Sequence, residues 1–377
     1  MKILMVSMPT LHFFRWTDQL KNEGHEVYWF NITDSRAYVD KLDWVDQKYG
    51  WRLKYNYPGR IRLKKLWPYM ERFLAKYNQN DTAELFEDYL NTVKPDVVHS
   101  FALYVSCTPI LGVMQKYPSI KWIYSSWGSD LYYFKNIPSY LKDIKNVLPR
   151  VDYLFTDCKR DYQIAKDYGF KGRFLGVYPG GGGFKLESIE KLESPNQRDI
   201  ILVKGFQGRS GRAITILKAI LQLKEVLESY SIIVFGAEDE VLTYSKLSKL
   251  NTWQNYKMFG KIKHEAVLDL MQQSKLYIGN SNSDGMPNTM LEALCYGAFP
   301  IQSNPGDATE EIITHGVNGL LINDCENEDE IALLIKEALT NPALLKKAFS
   351  LNMELRNTFK YETIKSKVNQ TYLDIIP

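Results

Sequence analysis

Short apolar runs alternate with longer stretches of helical period from one end of the chain to the other. In the first half the runs predicted as strands are Ile3–Val6, Glu26–Phe30, Asp96–His99, Trp122–Tyr124, Tyr153–Thr156 and Arg173–Val177. Amphipathic stretches such as Phe13–Asn22, Pro109–Gln115 and Lys159–Asp167 lie between them. The second half repeats the scheme with Ile200–Lys204, Ile232–Phe235, Lys257–Phe259, Leu276–Gly279, Phe299–Gln302 and Leu320–Ile322, and a helix expected over Ala213–Leu227. Alternation of this kind predicts parallel sheets with helices on both faces. Two such sets predict an α/β protein of two Rossmann-like domains. The boundary is expected in Pro179–Gln197, where four consecutive glycines (Gly180–Gly183) precede a charged, Pro-containing segment.

A chain of 377 residues suits two domains of ordinary size. Apolar residues at 45% and charged residues at 24% are typical of globular proteins, and a net charge of +3 is too small to argue for nucleic acid. Cys107, Cys158, Cys295 and Cys325 form no C-x-x-C pair and have no histidine cluster nearby. That pattern argues against disulfides and structural zinc and fits a reducing, cytoplasmic setting. The start, MKILMVSMPTLHFF, is interrupted by Pro9, His12 and then Arg15, which reads as a strand and loop rather than a signal peptide. No apolar run is long enough to predict a membrane span.

In two-domain α/β proteins ligands sit beyond the carboxyl ends of the strands, so the loops that follow strands matter. These are 7–12, 99–101, 125–132, 178–184, 205–212, 260–263 and 280–288. The most informative stretch is Ser281–Gly297, S-N-S-D-G-M-P-N-T-M-L-E-A-L-C-Y-G, with Asp284 at a loop and Glu292 inside the helix that follows. Pro287 suits a first helical turn, and Gly285 permits close backbone approach. The N–H groups of 285–289, Met286 and Asn288 among them, and the positive end of the helix dipole would face an anion such as a phosphate. A carboxylate at the mouth and another on the wall could read the hydroxyls of a sugar and a ribose.

The run D-G-M-P-N-T-M-L-E-A-L-C-Y-G-A-F-P-I-Q-S-N-P-G-D-A-T-E-E-I-I-T-H-G-V-N-G-L-L-I resembles the donor-binding domain of retaining GT-B glycosyltransferases, specifically glycosyltransferase family 4. That family shows a pattern like E-G-x-P-x-x-x-L-E-A-x-A-x-G. The resemblance extends upstream through F-G-K-I-K-H-E-A-V-L-D-L-M-Q-Q-S-K-L-Y-I and ends in F-K-Y-E-T-I-K-S-K-V-N-Q-T-Y. It is strong from about Asp199 to the C-terminus and loose before it. It implies the GT-B fold, two Rossmann-like domains facing a cleft, with the C-terminal helix crossing back. The implied division is an acceptor-binding domain, 1–185 plus 358–377, and a donor-binding domain, 186–357.

Carried over residue by residue, Asp284 would face the transferred sugar, where the family usually has glutamate, and Glu292 would hold the ribose hydroxyls. In the loop Lys204–Arg212, K-G-F-Q-G-R-S-G-R, the family's diphosphate-holding arginine and lysine have altered spacing. Arg209, Arg212 and Lys204 are the candidates, guanidinium being suited to bidentate phosphate contacts. Gly260 and Ile262 match the loop over which the family lays its base. The resemblance implies a UDP- or GDP-sugar as donor substrate and no further cofactor. No D-x-D-type acidic pair in a suitable loop predicts a metal site.

The first domain departs from the family pattern. S-M-P-T-L-H stands in place of a glycine pair after the first strand, and His12 is a candidate there. Y-S-S-W-G-S-D-L-Y resembles the family's T-x-H-G-x-D turn with Trp127 in place of histidine, leaving Ser129 and Asp130 as the polar turn. Trp127 could stack on a sugar, and His99 is a candidate spatial substitute for the missing histidine. The four-glycine run, with Gly181, replaces a P-N-G-V-D hinge loop and predicts flexible, close backbone approach. It lacks the G-K-[ST] of a P-loop.

One further segment, Trp51–Tyr77, carries eight cations (Arg52, Lys54, Arg60, Arg62, Lys64, Lys65, Arg72, Lys76) against one acid, Glu71, with aromatics interleaved. Either a peripheral contact with an anionic membrane or a solvated helical hairpin with inward aromatics fits this composition. Basic-aromatic patches also bind single-stranded nucleic acid, but nothing else in the sequence supports that reading. The expectation is thus a retaining, hexosyltransferase-type enzyme acting on a glycan or lipid-linked acceptor, in polysaccharide biosynthesis at the inner face of a membrane. A catalytically inactive sugar-nucleotide-binding partner subunit and a sugar-nucleotide epimerase remain as alternatives.

Overall fold

The computed structural model describes residues 1–34, 38–186 and 192–375. Residues 187–191, inside the predicted linker, and 376–377 lie outside the described residues. Two compact units divide the chain: Met1–Thr156 with Tyr162–Gly182 and Val368–Pro377, and Asp157–Asp161 with Gly183–Lys367.

The first unit is built on a seven-stranded parallel sheet: β1 (Lys2–Ser7), β2 (Glu26–Asn31), β3 (Asp46–Lys48), β4 (Val97–Phe101), β5 (Lys121–Ser125), β6 (Tyr153–Thr156) and β7 (Arg173–Val177), in the order β3-β2-β1-β4-β5-β6-β7. The second has six parallel strands: β8 (Ile200–Lys204), β9 (Ser231–Phe235), β10 (Tyr256–Met258), β11 (Ser274–Gly279), β12 (Phe299–Ser303) and β13 (Leu320–Ile322), in the order β10-β9-β8-β11-β12-β13. Both orders run outward from a first strand, then reverse, as in doubly wound folds.

The strands read as continuous apolar runs because both of their faces are covered. In the second sheet Ile201 and Val203 enter one core layer with Ile232, Val234, Leu276 and Ile278. The intervening Leu202 enters the other, with Ile233, Tyr277 and Met290. Both layers are helix-backed. The element that sequence patterning missed is β3, whose D-Q-K carries no apolar signal and which pairs with β2 at the sheet edge.

Candidate functional site

In the second unit the strand order reverses between β8 and β11, and the loops leaving those two strands are Gly205–Arg212 and 280–287. The Arg212 amide donates to the Asn280 carbonyl at 2.8 Å, which joins the two loops. The first loop turns back on itself, the Ala213 amide donating to the Phe206 carbonyl at 3.1 Å. A Cβ at Gly211 would lie 2.1 Å from that carbonyl oxygen, so the turn tolerates glycine alone. The Gly205 amide donates to the Phe235 carbonyl at 2.8 Å, and the Gly236 amide to the Gly260 carbonyl at 3.1 Å. The loops after β8, β9 and β10 therefore lie laced along one edge of the sheet.

The helix Asn288–Cys295 starts from that edge, one residue after Pro287, which caps it. The Leu291 amide bonds back to the Pro287 carbonyl at 3.1 Å, while the amides of the first turn have no acceptor within the helix. Gly285, Met286 and Pro287, directly before it, are buried. Glu292 faces inward with 6% of its surface exposed, and its Oε1 lies 2.8 Å from Nε2 of His264. A buried carboxylate needs such a partner. His264 opens the helix His264–Gln273 and was not singled out from sequence, although it stands two residues beyond Ile262 in a stretch that had been marked.

Beneath this helix lies Tyr277, fully buried, its hydroxyl without a hydrogen-bond partner among the described residues. Burial pushes its phenol well above the usual range, and the charges of Asp284 and Glu292 add to the effect. Both carboxylates are thus within electrostatic reach of the Tyr277 phenol. Asp284 is half-buried, and its Oδ1 accepts from the Gly285 amide at 3.0 Å. Its carbonyl accepts from Arg160 at 2.9 Å, an arginine that also donates to the Pro305 carbonyl at 2.6 Å. Sequence reasoning missed Arg160, which belongs to the short piece Asp157–Asp161 of the second unit.

The basic loop is already engaged. Arg212 pairs with Glu326 and donates to the carbonyls of Gly208 and Gly211. Lys204 places its ammonium 4.9 Å from the Phe206 ring, and Arg209 is exposed. Ile262 is half-buried against the inner core layer. Asp157, Cys158 and Asp161 bring three metal-capable atoms within 4.8 Å, but Asp161 is chelated by Arg160 at 2.8 and 2.9 Å. Burial and the two neighbouring carboxylates also push the Cys158 thiol far up, which opposes the thiolate form a metal requires.

In the first unit His12, Trp127 and Gly181 come together. The His12 and Trp127 rings are 5.9 Å apart, and Trp127 is 5.8 Å from Phe101. A Cβ at Gly181 would lie 3.2 Å from Nδ1 of His12. The glycine run is closely packed here, Gly180 to Gly182 being buried. Asp130 is buried and accepts from the Leu103 amide at 2.9 Å, the Tyr124 hydroxyl at 2.5 Å and the Trp127 amide at 2.9 Å. Its carboxylate holds the turn that displays Trp127, and the Ser129 amide closes it on the Trp127 carbonyl at 2.8 Å.

His99 is corrected. It is fully buried, its Nδ1 lies 2.5 Å from the Tyr372 hydroxyl and its Nε2 2.7 Å from Oγ of Ser125. Burial holds it well below the usual histidine range. With both nitrogens committed inside the core, it is a structural residue and not a replacement for the missing turn histidine.

Residues 184–364 match the family described as glycosyl transferases group 1. The match falls within the second unit. An uncharacterized glycosyltransferase of Methanocaldococcus jannaschii is 28% identical over 225 residues, 56% of this chain and 56% of its own length, so the chain spans little more than half of that relative. Among solved structures, sucrose-phosphate synthase from Thermosynechococcus elongatus superimposes with a TM-score of 0.73 at 16% identity, covering 99% of this chain and 98% of that one. Anabaena Alr3699/HepE, solved in complex with UDP-glucose, gives 0.71 at 12% identity, covering 99% and 100%. These likenesses extend the GT-B fold to the first unit, which the family match does not reach. Within the matched residues lie Lys204, Arg212, Gly260, Asp284 and Glu292, so the family match encloses every donor-site candidate.

Proposed function

We propose that this protein is a metal-independent, retaining glycosyltransferase that moves a hexosyl unit from a UDP- or GDP-sugar to a hydroxyl of a glycan or glycolipid. The observation that carries the proposal is the buried Glu292, held by His264, behind the start of a helix at the strand-order reversal of a group 1 domain. In this reading Glu292 accepts hydrogen bonds from the ribose hydroxyls, while the Gly260–Ile262 loop receives the base. The first-turn amides of helix Asn288–Cys295 face the diphosphate, with Lys204 and Arg209 beside it. A uridine donor is favoured by the UDP-glucose in the Anabaena relative.

Chemically, the sugar's anomeric carbon–oxygen bond breaks with charge growing on the leaving diphosphate, which the helix end stabilises. The acceptor oxygen bonds to the same face of that carbon, and its proton passes to the leaving phosphate oxygen. In this reading Asp284 holds sugar hydroxyls. The first unit would receive the acceptor, with Trp127 stacking on it beside His12. A cell-surface polysaccharide or lipid-linked glycan is the working acceptor, and the cytoplasmic side the working location.

A second reading, a sugar-nucleotide-binding subunit without transfer activity, is favoured by the engagement of Arg212 with Glu326 and by Trp127 in the histidine's position. One experiment separates the possibilities. Thermal midpoints are read with UDP, GDP and their sugars, for wild type and Glu292→Ala, alongside release of free nucleotide diphosphate. Stabilisation lost in Glu292→Ala, together with nucleotide release, supports the enzyme. Stabilisation without release in the presence of any acceptor extract favours the binding subunit, and no stabilisation overturns the donor site.

A further inference from the structure

The segment left unexplained by the donor site is Trp51–Tyr77. It forms two helices, Arg60–Leu66 and Pro68–Asn78, joined at Trp67. Their common base is firmly held. Leu53 and Gln79 form an antiparallel bridge, the Lys54 amide donates to the Asn78 carbonyl and the Asn80 amide to the Arg52 carbonyl, each at 2.9 Å. Trp51 is buried, stacked on Phe30 at 5.0 Å, and its indole N–H donates to the Asn31 carbonyl at 3.0 Å.

Beyond that base the hairpin turns its large apolar side chains outward. Tyr69 is 84% exposed, Ile61 72%, Leu66 70%, Phe73 63% and Trp67 62%. The only buried residue of the two helices is an acid, Glu71, which lies 3.7 Å from Arg60. The elbow holds a shallow groove lined by Leu66, Trp67, Pro68, Tyr69 and Met70. The alternative weighed from sequence, a solvated hairpin with inward aromatics, is thus not what is built. An exposed apolar surface of this kind marks an interaction site.

Charge says what it faces. The whole chain has 47 cations against 44 acids, and this segment has 8 against 1, so the remainder has 39 against 43. A segment of net +7 stands on a body of net −4. Cations around exposed Trp, Tyr, Phe and Leu match an anionic bilayer surface, where the rings sit at headgroup depth and the lysines and arginines meet lipid phosphates. In the second helix the exposed Tyr69, Phe73 and Tyr77 recur four residues apart and share one face, the Phe73 and Tyr77 rings 5.4 Å apart, as a helix lying in a bilayer interface requires.

We infer that the hairpin Arg60–Asn78 is a membrane-docking element that inserts Trp67, Tyr69 and Phe73 into the interface of an anionic leaflet. This goes beyond the donor-site reading and does not depend on it.

The test is co-sedimentation of the full chain with vesicles of phosphatidylcholine alone and of an equimolar mixture with phosphatidylglycerol. The variants are Trp67→Ser/Phe73→Ser and Arg62→Gln/Lys64→Gln/Lys65→Gln, all at exposed positions. The wild type should bind the anionic vesicles and release them as salt rises. Each variant should lower the partition coefficient by at least about tenfold, with unchanged thermal midpoint and unchanged response to nucleotide. Absence of binding to anionic vesicles overturns the inference, as does binding that neither variant weakens. Retention on a single-stranded oligonucleotide without vesicle binding, or lipid-free self-association abolished by Trp67→Ser/Phe73→Ser without vesicle binding, overturns it in favour of those partners.

Discussion

A carboxylate buried as deeply as that of Glu292 can read hydroxyl groups only if something holds it in place. His264 does so through the 2.8 Å contact between its Nε2 and Oε1 of Glu292. Removing it by His264→Ala should weaken nucleotide binding by about 1 kcal/mol, roughly five- to tenfold in Kd, leaving the fold intact. Titration calorimetry against the nucleotide that stabilises the wild type checks this, and an unchanged Kd would detach His264 from the site. His99 makes the opposite kind of prediction. Buried and held well below its ordinary pKa of 6.5, it stays neutral when folded and takes up a proton on unfolding below pH 6.5. The unfolded state then binds more protons, so stability falls as pH falls through and below that value, by up to about 1.4 kcal/mol per pH unit for this group. Midpoints measured from neutral to mildly acidic pH should drop in wild type. They should drop less steeply in His99→Gln, whatever that variant loses at neutral pH.

At the scale of elements, the helix Asn288–Cys295 is fixed by how it ends as much as by how it begins. Gly297 takes φ +81°, its amide bonds the Leu294 carbonyl at 3.0 Å, and the Ala298 amide bonds the Ala293 carbonyl at 2.9 Å. That is a Schellman close, which favours glycine. Gly297→Ala meets the left-handed strain and also places a Cβ 2.8 Å from Arg198 and 2.9 Å from Phe349. Gly316→Ala meets the strain alone, since φ is +70° and the space beside it is open. Urea unfolding should show a loss of about 1 kcal/mol for Gly316→Ala and about 2–3 for Gly297→Ala. Equal losses would mean the close contact relaxes. Elements of this sort were legible in sequence where burial on both sides made a strand continuously apolar, and β3 was not, because an edge strand of D-Q-K has no such signature. The loop–helix Ser281–Gly297 was legible from its turn and cap residues. Its partners were not: His264, Tyr277 and Arg160 are brought there by the sheet order, which local pattern does not carry. The same holds for Arg212, whose engagement with Glu326 depends on a contact over a hundred residues away. His99 read as a strand-end candidate, but the pairing of its two nitrogens with Tyr372 and Ser125 comes from remote segments of the first unit.

For the whole molecule, the chain's last stretch is structurally part of its first unit. The helix Tyr361–Leu373 begins among residues of the second unit, and its residues from Val368 onward count with the first. Tyr372 is fully buried there, accepting from the Trp16 indole at 3.2 Å and paired with His99, while the Asn369 amide group donates to the Gln19 carbonyl at 3.0 Å. Truncation after Lys367 therefore removes a buried aromatic and leaves His99, Trp16 and Gln19 each short of a partner. The cavity and the unsatisfied groups together cost roughly 4–6 kcal/mol, a large share of the stability of an ordinary domain. The proposed donor-site residues belong to the second unit and lose nothing directly. Calorimetry of the truncated chain should accordingly show the first unit's unfolding transition lowered or lost. The second unit's transition should survive and still rise with the nucleotide that binds the wild type. Loss of both transitions would mean that the second unit cannot hold its fold without an intact first unit, and the proposed donor site would then have to be treated as a property of the entire chain.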